Sequence, residues 1–318
     1  MRDNLQHSTF NLPTGFVFSQ SSLQDYVDCQ RRFQLRYIQQ RAWPAIEAEP
    51  AMDTELYMQR GSQFHHMAHQ YWLGIPAEKI ARQVEGDEVL SRWWQNFVGS
   101  KDFGSLVKHS DDSDEENSRS LKPLPEISLS APIGDLRIMA KYDLLILQTL
   151  RVSEEDLAHD DTSENPKGLN ATIYDWKTSR KQPNREWLIH RLQTRVYPYL
   201  LAQAGAQLNG GEPFKPEQIE MIYWYTDFPD QPARFPYSQQ QFDEDEAYLT
   251  GLLAEIKSMG EEDAPLAEDE RRCRFCVYRS LCNRGVEAGP LEEAEGDWEV
   301  EEGFELELDF DDIAEIEY

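Results

Sequence analysis

The sequence predicts an α/β (α+β) fold with one central mixed β-sheet flanked by helices. Three observations carry that expectation: helical periodicity in the first hundred residues, a consecutive run of strand-like segments between 126 and 179, and a return of helix, strand and helix after 184. A Ser cluster opens a helix over residues 19 to 41, in which Leu23, Tyr26, Val27, Phe33 and Tyr37 follow one stripe. Further helices are expected over 58 to 74 and 88 to 98. The segments "EISLSAPI" (126 to 133), "LRIMAKYDLLIL" (136 to 147) and "ATIYDWKTS" (171 to 179) read as strands, the first two turning at Gly134-Asp135. A long helix follows over 184 to 208, with Pro198 expected to bend or divide it. Strands at 219 to 226 and 233 to 237 and a helix over 243 to 259 complete the pattern.

The composition bounds the function. At 318 residues the chain is long enough for one large domain or two modest ones. It has no run of about 18 apolar residues and no basic-then-apolar leader, so a soluble cytoplasmic protein with no membrane role is expected. The net charge of −28 argues against diffuse nucleic-acid binding, but it is unevenly spread. Residues 291 to 318 carry 14 acids and no Lys or Arg, and further acid sits in 111 to 117 and 153 to 164, which read as solvated loops. A local basic groove therefore remains compatible with the total.

The strand "ATIYDWKTS" delivers chemistry to its end. Successive side chains on a strand alternate, so Asp175 and Lys177 share one face and Trp176 takes the other. Alone, such a triplet reads as a surface ion pair. The cysteines are more specific. Cys273, Cys276 and Cys282 form a C-x2-C-x5-C cluster, and Cys29 lies far upstream in the first helix. In an intracellular chain such spacing favours metal ligation over disulfides, and spacing alone leaves zinc and an iron–sulfur cluster both open. With Cys29 as fourth ligand, the metal would fasten the two ends of the domain together.

Six motifs in order, "SSLQDYVDCQRRF", "GSQFHHMAH", "AKYD", "YDWKT", "QTRVY" and "CRFCVYRSLC", resemble the PD-(D/E)XK nuclease superfamily. The resemblance is in particular to RecB-like nucleases with an iron–sulfur staple, such as the AddB nuclease domain and CRISPR-associated exonucleases, and it covers roughly residues 18 to 285. It implies a restriction-endonuclease-like core plus a metal-stapled helical region. It also implies a Mg²⁺ or Mn²⁺ site formed by His65, Asp143, Asp175 and the backbone carbonyl of Trp176. Lys177 would orient the attacking water and stabilise charge on the phosphate. Gln193 and Tyr197 match a Q-x3-Y pattern that positions the scissile strand or Lys177, so Asp143, Asp175, Lys177, Gln193 and Tyr197 form the expected catalytic set. Cys29, Cys273, Cys276 and Cys282 would hold a [4Fe-4S] cluster, with Zn²⁺ as the alternative. His66 and His69 lie beside His65, and Glu126 is a weaker candidate for an outer ligand. Ala140, Gln30 and His69 depart from the family pattern without removing a ligand.

Basic residues cluster near these motifs, and Arg31, Arg32, Arg180, Lys181 and Arg185 are the candidate DNA contacts. The expected organisation is an N-terminal extension (1 to 18), a nuclease domain (19 to 289) and an acidic tail (290 to 318). In that tail, apolar residues interleave with the acids, so it either binds a protein partner or covers the DNA groove. The expected activity is metal-dependent hydrolysis of DNA, as an exonuclease on single-stranded ends in repair, recombination or CRISPR-related processing. With no Walker motif present, a separate helicase or a CRISPR integrase is the expected partner. The alternative is a noncatalytic Fe-S or Zn DNA-binding subunit of such a complex.

Overall fold

A computed structural model describes residues 12–41, 51–103, 121–149, 169–178, 184–260, 262–274 and 276–285. Arg180, Lys181, the acidic segments at 111–117 and 153–164, and the tail from 290 to 318 lie outside the described residues. Six strands form one mixed sheet: β1 (Val17–Ser19), β2 (Leu121–Ile133), β3 (Leu136–Thr149), β4 (Leu169–Lys177), β5 (Ile219–Tyr225) and β6 (Ala233–Pro236). β3 is the hub. It pairs antiparallel with β2 along its length, parallel with β1, and antiparallel with β4 over its second half. β4 and β5 run parallel, and β6 closes the far edge antiparallel to β5. Strand β1 escaped the sequence pattern because three residues cannot show a period. The boundary drawn at residue 18 falls inside it.

The helices are α1 (Gln20–Asp28), α2 (Gln30–Phe33), α3 (Ala51–Trp72), α4 (Ala77–Ala81), α5 (Glu88–Val98), α6 (Arg185–Ile189), α7 (Leu192–Ala204) and α8 (Gln239–Lys257). Ser19 caps α1 reciprocally with Ser22, Asp87 accepts the first N–H groups of α5, and Ser238 caps α8. The single helix expected over 19 to 41 is instead divided. Cys29 takes an extended conformation between α1 and α2, and α2 runs on into a π-helical turn at Gln34–Ile38. The helix expected over 184 to 208 breaks at His190-Arg191, while Pro198 sits inside α7. Side chains replace the backbone bonds at that break: Thr194 donates to the Leu188 carbonyl at 2.6 Å, and Gln24 accepts the Leu192 N–H at 3.2 Å.

Two apolar layers cover the sheet, and strand alternation decides which residue enters which. Ile173, Met221 and Tyr223 face α1, α2, α7 and α8, together with Phe18, Leu23, Phe33, Val196 and Leu200. Tyr174, Trp176, Ile222 and Trp224 face α3, α4 and α5, where Phe64, Trp93, Trp94, Phe97 and Phe103 form a dense aromatic cluster. Asp175 and Lys177 therefore emerge on the α7 side of β4, as their spacing predicts.

The alternation slips once. Ile138, Ala140 and Tyr142 of β3 join the first layer, yet so do Leu145 and Leu147, while Leu144 and Ile146 join the second. The phase changes at Asp143. The same shift occurs across the hairpin, where Leu124 and Ile127 both pack against the first layer and Glu126 between them adopts φ 55°. That left-handed conformation is uncommon for a residue with a Cβ. Glu126 pairs with Lys141 at 2.5 Å. Because both strands slip together, the register is the same on either side.

Among the described residues, no helix is long and apolar enough to cross a membrane. Trp93 is fully buried, and its indole N–H donates to Asp227 at 3.1 Å just beyond β5. Trp93→Ala is expected to lower stability by about 3–5 kcal/mol, visible as a fall in the urea unfolding midpoint.

Candidate active site

The site forms where two strands stop pairing. β3 and β4 stay in register only as far as the Leu144–Tyr174 pair. Past it, the Trp176 N–H is donated to Asp143 Oδ2 at 2.7 Å. The N–H and C=O of one extended residue point to the same strand edge, so the Trp176 carbonyl also faces the Asp143 side. The Lys177 carbonyl points the other way and accepts from Thr226 at 2.9 Å.

Helix α3 brings the imidazole. His65 Nδ1 lies 3.3 Å from Asp143 Oδ1. Two earlier positions on the same helical stripe explain how α3 gets that close. A Cβ on Gly61 would stand 3.2 Å from Thr178 Oγ1, so the glycine lets the helix lie on the end of β4. One turn earlier, the Tyr57 hydroxyl donates to the Thr178 carbonyl. His66 is exposed and bonds Gln70, away from this contact.

Helix α7 closes the other side. Asp175 and Lys177 are both buried, and Asp175 Oδ2 lies 2.9 Å from Lys177 Nζ. Gln193 completes a ring by donating from Nε2 to Asp175 Oδ1 at 2.5 Å and accepting from Lys177 Nζ at 3.0 Å. The amide can satisfy both partners in one orientation only, with its oxygen toward the ammonium. The ring of Tyr223 lies below the ammonium at 5.5 Å. Its hydroxyl bonds Thr194 Oγ1 at 2.8 Å and must be the donor, because the Thr194 proton goes to Leu188.

Tyr197 stays a neutral phenol. Burial pushes its pKa well above the usual value, and the Asp175 and Asp143 carboxylates push it further. Tyr142 packs against its ring and donates to the Tyr197 carbonyl at 3.0 Å.

The structure thus gathers His65 with Asp143, and Asp175 with Lys177, Gln193 and Tyr197, around the end of β4. The nitrogen and hard-oxygen donors suit Mg²⁺ or Mn²⁺ in chemical type. Yet among the described residues, no three His, Cys, Asp or Glu side chains are drawn up as a ready-made metal cage, since Asp175 is turned to Lys177 and Gln193. Thr194, Tyr223 and Tyr57 also shape the site without having been singled out, whereas Gly61 opens the motif "GSQFHHMAH" on which the resemblance drew.

All four cysteines are free thiols, and Cys29 lies in the same neighbourhood as the C-terminal three. Burial raises the Cys276 thiol to about 11, and Cys29 and Cys282 add to it. Cys273 and Cys282 are raised by burial and then by their thiol neighbours. Arg32 acts in the opposite direction on Cys273 and Cys276, and Arg31 does so on Cys282. Thiols near guanidinium groups are a donor type that suits a thiophilic metal, though among the described residues no three of these cysteines stand as a group that could hold one.

Arg31 and Arg32 also hold carboxylates. Arg32 joins Asp25 at 2.7 Å and Asp28 at 3.1 Å, and Arg31 reaches Asp263. Arg185 donates to the Arg234 carbonyl at 2.6 Å and lies over Phe235. These three candidate DNA contacts are therefore engaged within the protein.

Lys177→Met should strand the buried Asp175 carboxylate and cost about 3–5 kcal/mol. The double variant Asp175→Asn/Lys177→Met should recover most of that loss in urea unfolding.

Residues 17–283 match the family model of the PD-(D/E)XK nuclease superfamily. No curated protein matches the chain. Among solved structures, the protein SSO0001 is similar at 14% identity and a TM-score of 0.30, covering 73% of this chain and 96% of its own. A candidate exonuclease from Eubacterium rectale is similar at 10% identity and a TM-score of 0.42, covering 78% and 84%.

Proposed function

The chain belongs to the PD-(D/E)XK nuclease superfamily, and we propose that it is a divalent-metal-dependent deoxyribonuclease acting as an exonuclease on single-stranded DNA ends. One observation supports this most: the family's acids and lysine sit on β4 and β3 beside an imidazole, with the Lys177 ammonium oriented by a closed ring of bonds.

In this proposal His65, Asp143, Asp175 and the Trp176 carbonyl hold Mg²⁺ or Mn²⁺. The ion would polarise the phosphodiester and acidify a water for in-line attack. The protein's own part is electrostatic. Lys177 offers positive charge to the phosphate as negative charge builds there, and Asp175 and Gln193 fix its direction beforehand. Tyr197, a neutral phenol, keeps its proton available to a phosphate oxygen. Arg180 and Lys181, between Lys177 and Gln193 in sequence, are proposed to guide the strand, joined by Arg185 if it exchanges the Arg234 carbonyl for a phosphate, whereas Arg31 and Arg32 are proposed to serve the thiol site.

Cys29, Cys273, Cys276 and Cys282 are proposed to hold a [4Fe-4S] cluster of structural role that ties residues 19 to 289 into one domain. Zinc in its place would revise the cofactor and leave the hydrolytic proposal standing. A separate helicase or integrase would supply unwound ends in DNA repair or CRISPR-related processing. The acidic tail from 290 is proposed to cover the DNA path, and its deletion should raise DNA affinity or cleavage.

Asp143→Asn and His65→Ala should each lower cleavage of end-labelled single strands by about 10²–10³-fold, with DNA binding nearly unchanged. Chelation should abolish cleavage and added Mn²⁺ restore it. Wild-type protein that binds DNA yet stays inert with Mn²⁺ and a full complement of iron or zinc would favour a noncatalytic subunit instead.

A further inference from the structure

Hydrogen bonds through Gln24 and Asp28 link the residues adjoining Cys29 and Cys273 to the residue before Gln193. Leu192 is the first residue of α7, and its N–H is one of those that a helix leaves without an internal acceptor. Arg191, at the capping position, offers it no side-chain bond. Gln24 of α1 accepts it instead, at 3.2 Å, in a buried position. The other end of the same amide donates to Asp28 Oδ1 at 3.1 Å. Asp28 adjoins Cys29, and its carboxylate also takes Arg32 at 3.1 Å and Arg272, which adjoins Cys273. One buried amide thus joins the residue before Gln193 to the carboxylate shared by both cysteine-bearing segments.

We infer that Gln24 is a positioning residue through which the state of the four-cysteine site sets the alignment of Gln193 and Lys177. With the cysteines tied together, Asp28 is fixed between Arg32 and Arg272, Gln24 is fixed by Asp28, and the first turn of α7 is seated. When that tie loosens, Cys29 and Cys273 carry Asp28 and Arg272 apart. Gln24 then loses its anchor, and the first turn of α7 is no longer held against the ring. The inference rests on the proposed nuclease activity for its kinetic consequence and on the proposed metal at the four cysteines for its structural part, which is read without any activity.

The test uses the full chain as wild type, Gln24→Leu, Cys282→Ser and the double variant. It reads kcat and KM on end-labelled single strands, and hydrogen exchange at the Leu192 amide. Each single variant is expected to lower kcat about tenfold with little change in KM, and the double variant to be no worse than the poorer single. The Leu192 amide should exchange faster in Cys282→Ser. Gln24→Glu keeps the acceptor for Leu192 but loses the donor to Asp28, so its Leu192 exchange should no longer respond to Cys282→Ser. Multiplied losses in the double variant, or Leu192 exchange unchanged in Cys282→Ser, would overturn the inference. An inert wild type would sink the nuclease proposal alone, since the exchange measurement still decides this one. Should Cys282→Ser fail to fold, wild type stripped of its metal replaces it.

Discussion

Everything at the end of β4 hangs on one hydrogen bond, from the Trp176 N–H to Asp143. It stands where a ladder bond would have continued the sheet, so a carboxylate substitutes for a neighbouring strand. The carboxylate is then anchored by backbone, which leaves its other oxygen facing the imidazole of His65. The same bond fixes the plane of the peptide between Asp175 and Trp176. From there alternation does the rest, sending Asp175 and Lys177 toward α7 and burying Trp176 under α3 and α5. The aromatic layer around Trp176 acts as a rigid backstop, because a side chain that large cannot turn without displacing Phe97 and Phe103.

Much of this was legible in the sequence because it depends on local period. The strand hairpin, the shared face of Asp175 and Lys177, and the helix over 88 to 98 follow from apolar spacing alone. The fold class also followed from the order of helix- and strand-like segments, and the superfamily from the order of motifs. What was hidden is what long-range bonds decide. The break at His190-Arg191 is stabilised by Gln24, 168 positions away, so Pro198 was the only visible suspect. The pairing of Tyr223 with Thr194 has no sequence signature either, since each looks like an ordinary core residue. Arg31 and Arg32 show how little charge alone says about a partner. Their charge suggested phosphate, and within the fold Arg32 also holds the buried Asp25 while Arg31 holds Asp263.

The charge economy follows from that. A chain with a net charge of −28 has few cations to spare, and many of those in the described residues are paired inside the fold with carboxylates. Asp25 alone, fully buried, holds both Arg32 and Arg36. Removing a partner from such a pair leaves a charge with no water to accept it, so these arginines are structural first. Attraction for a polyanion must come from a few side chains in one place, and the salt dependence of binding should be shallow for so large a protein.

The phase slip at Glu126 and Asp143 constrains how this hairpin can change over time. Because two strands step out of alternation together, removing one residue near Glu126 of β2 would exchange Ile127 and Leu129 for the exposed Ser128 and Ser130, and removing one near Asp143 of β3 would swap Leu144 and Ile146 with Leu145 and Leu147 between the two layers. A compensating loss on the facing strand would be needed in the same event. Lineages descended from this chain can therefore vary the tip of the hairpin freely, while the stretch around Asp143 is locked in length as well as in identity.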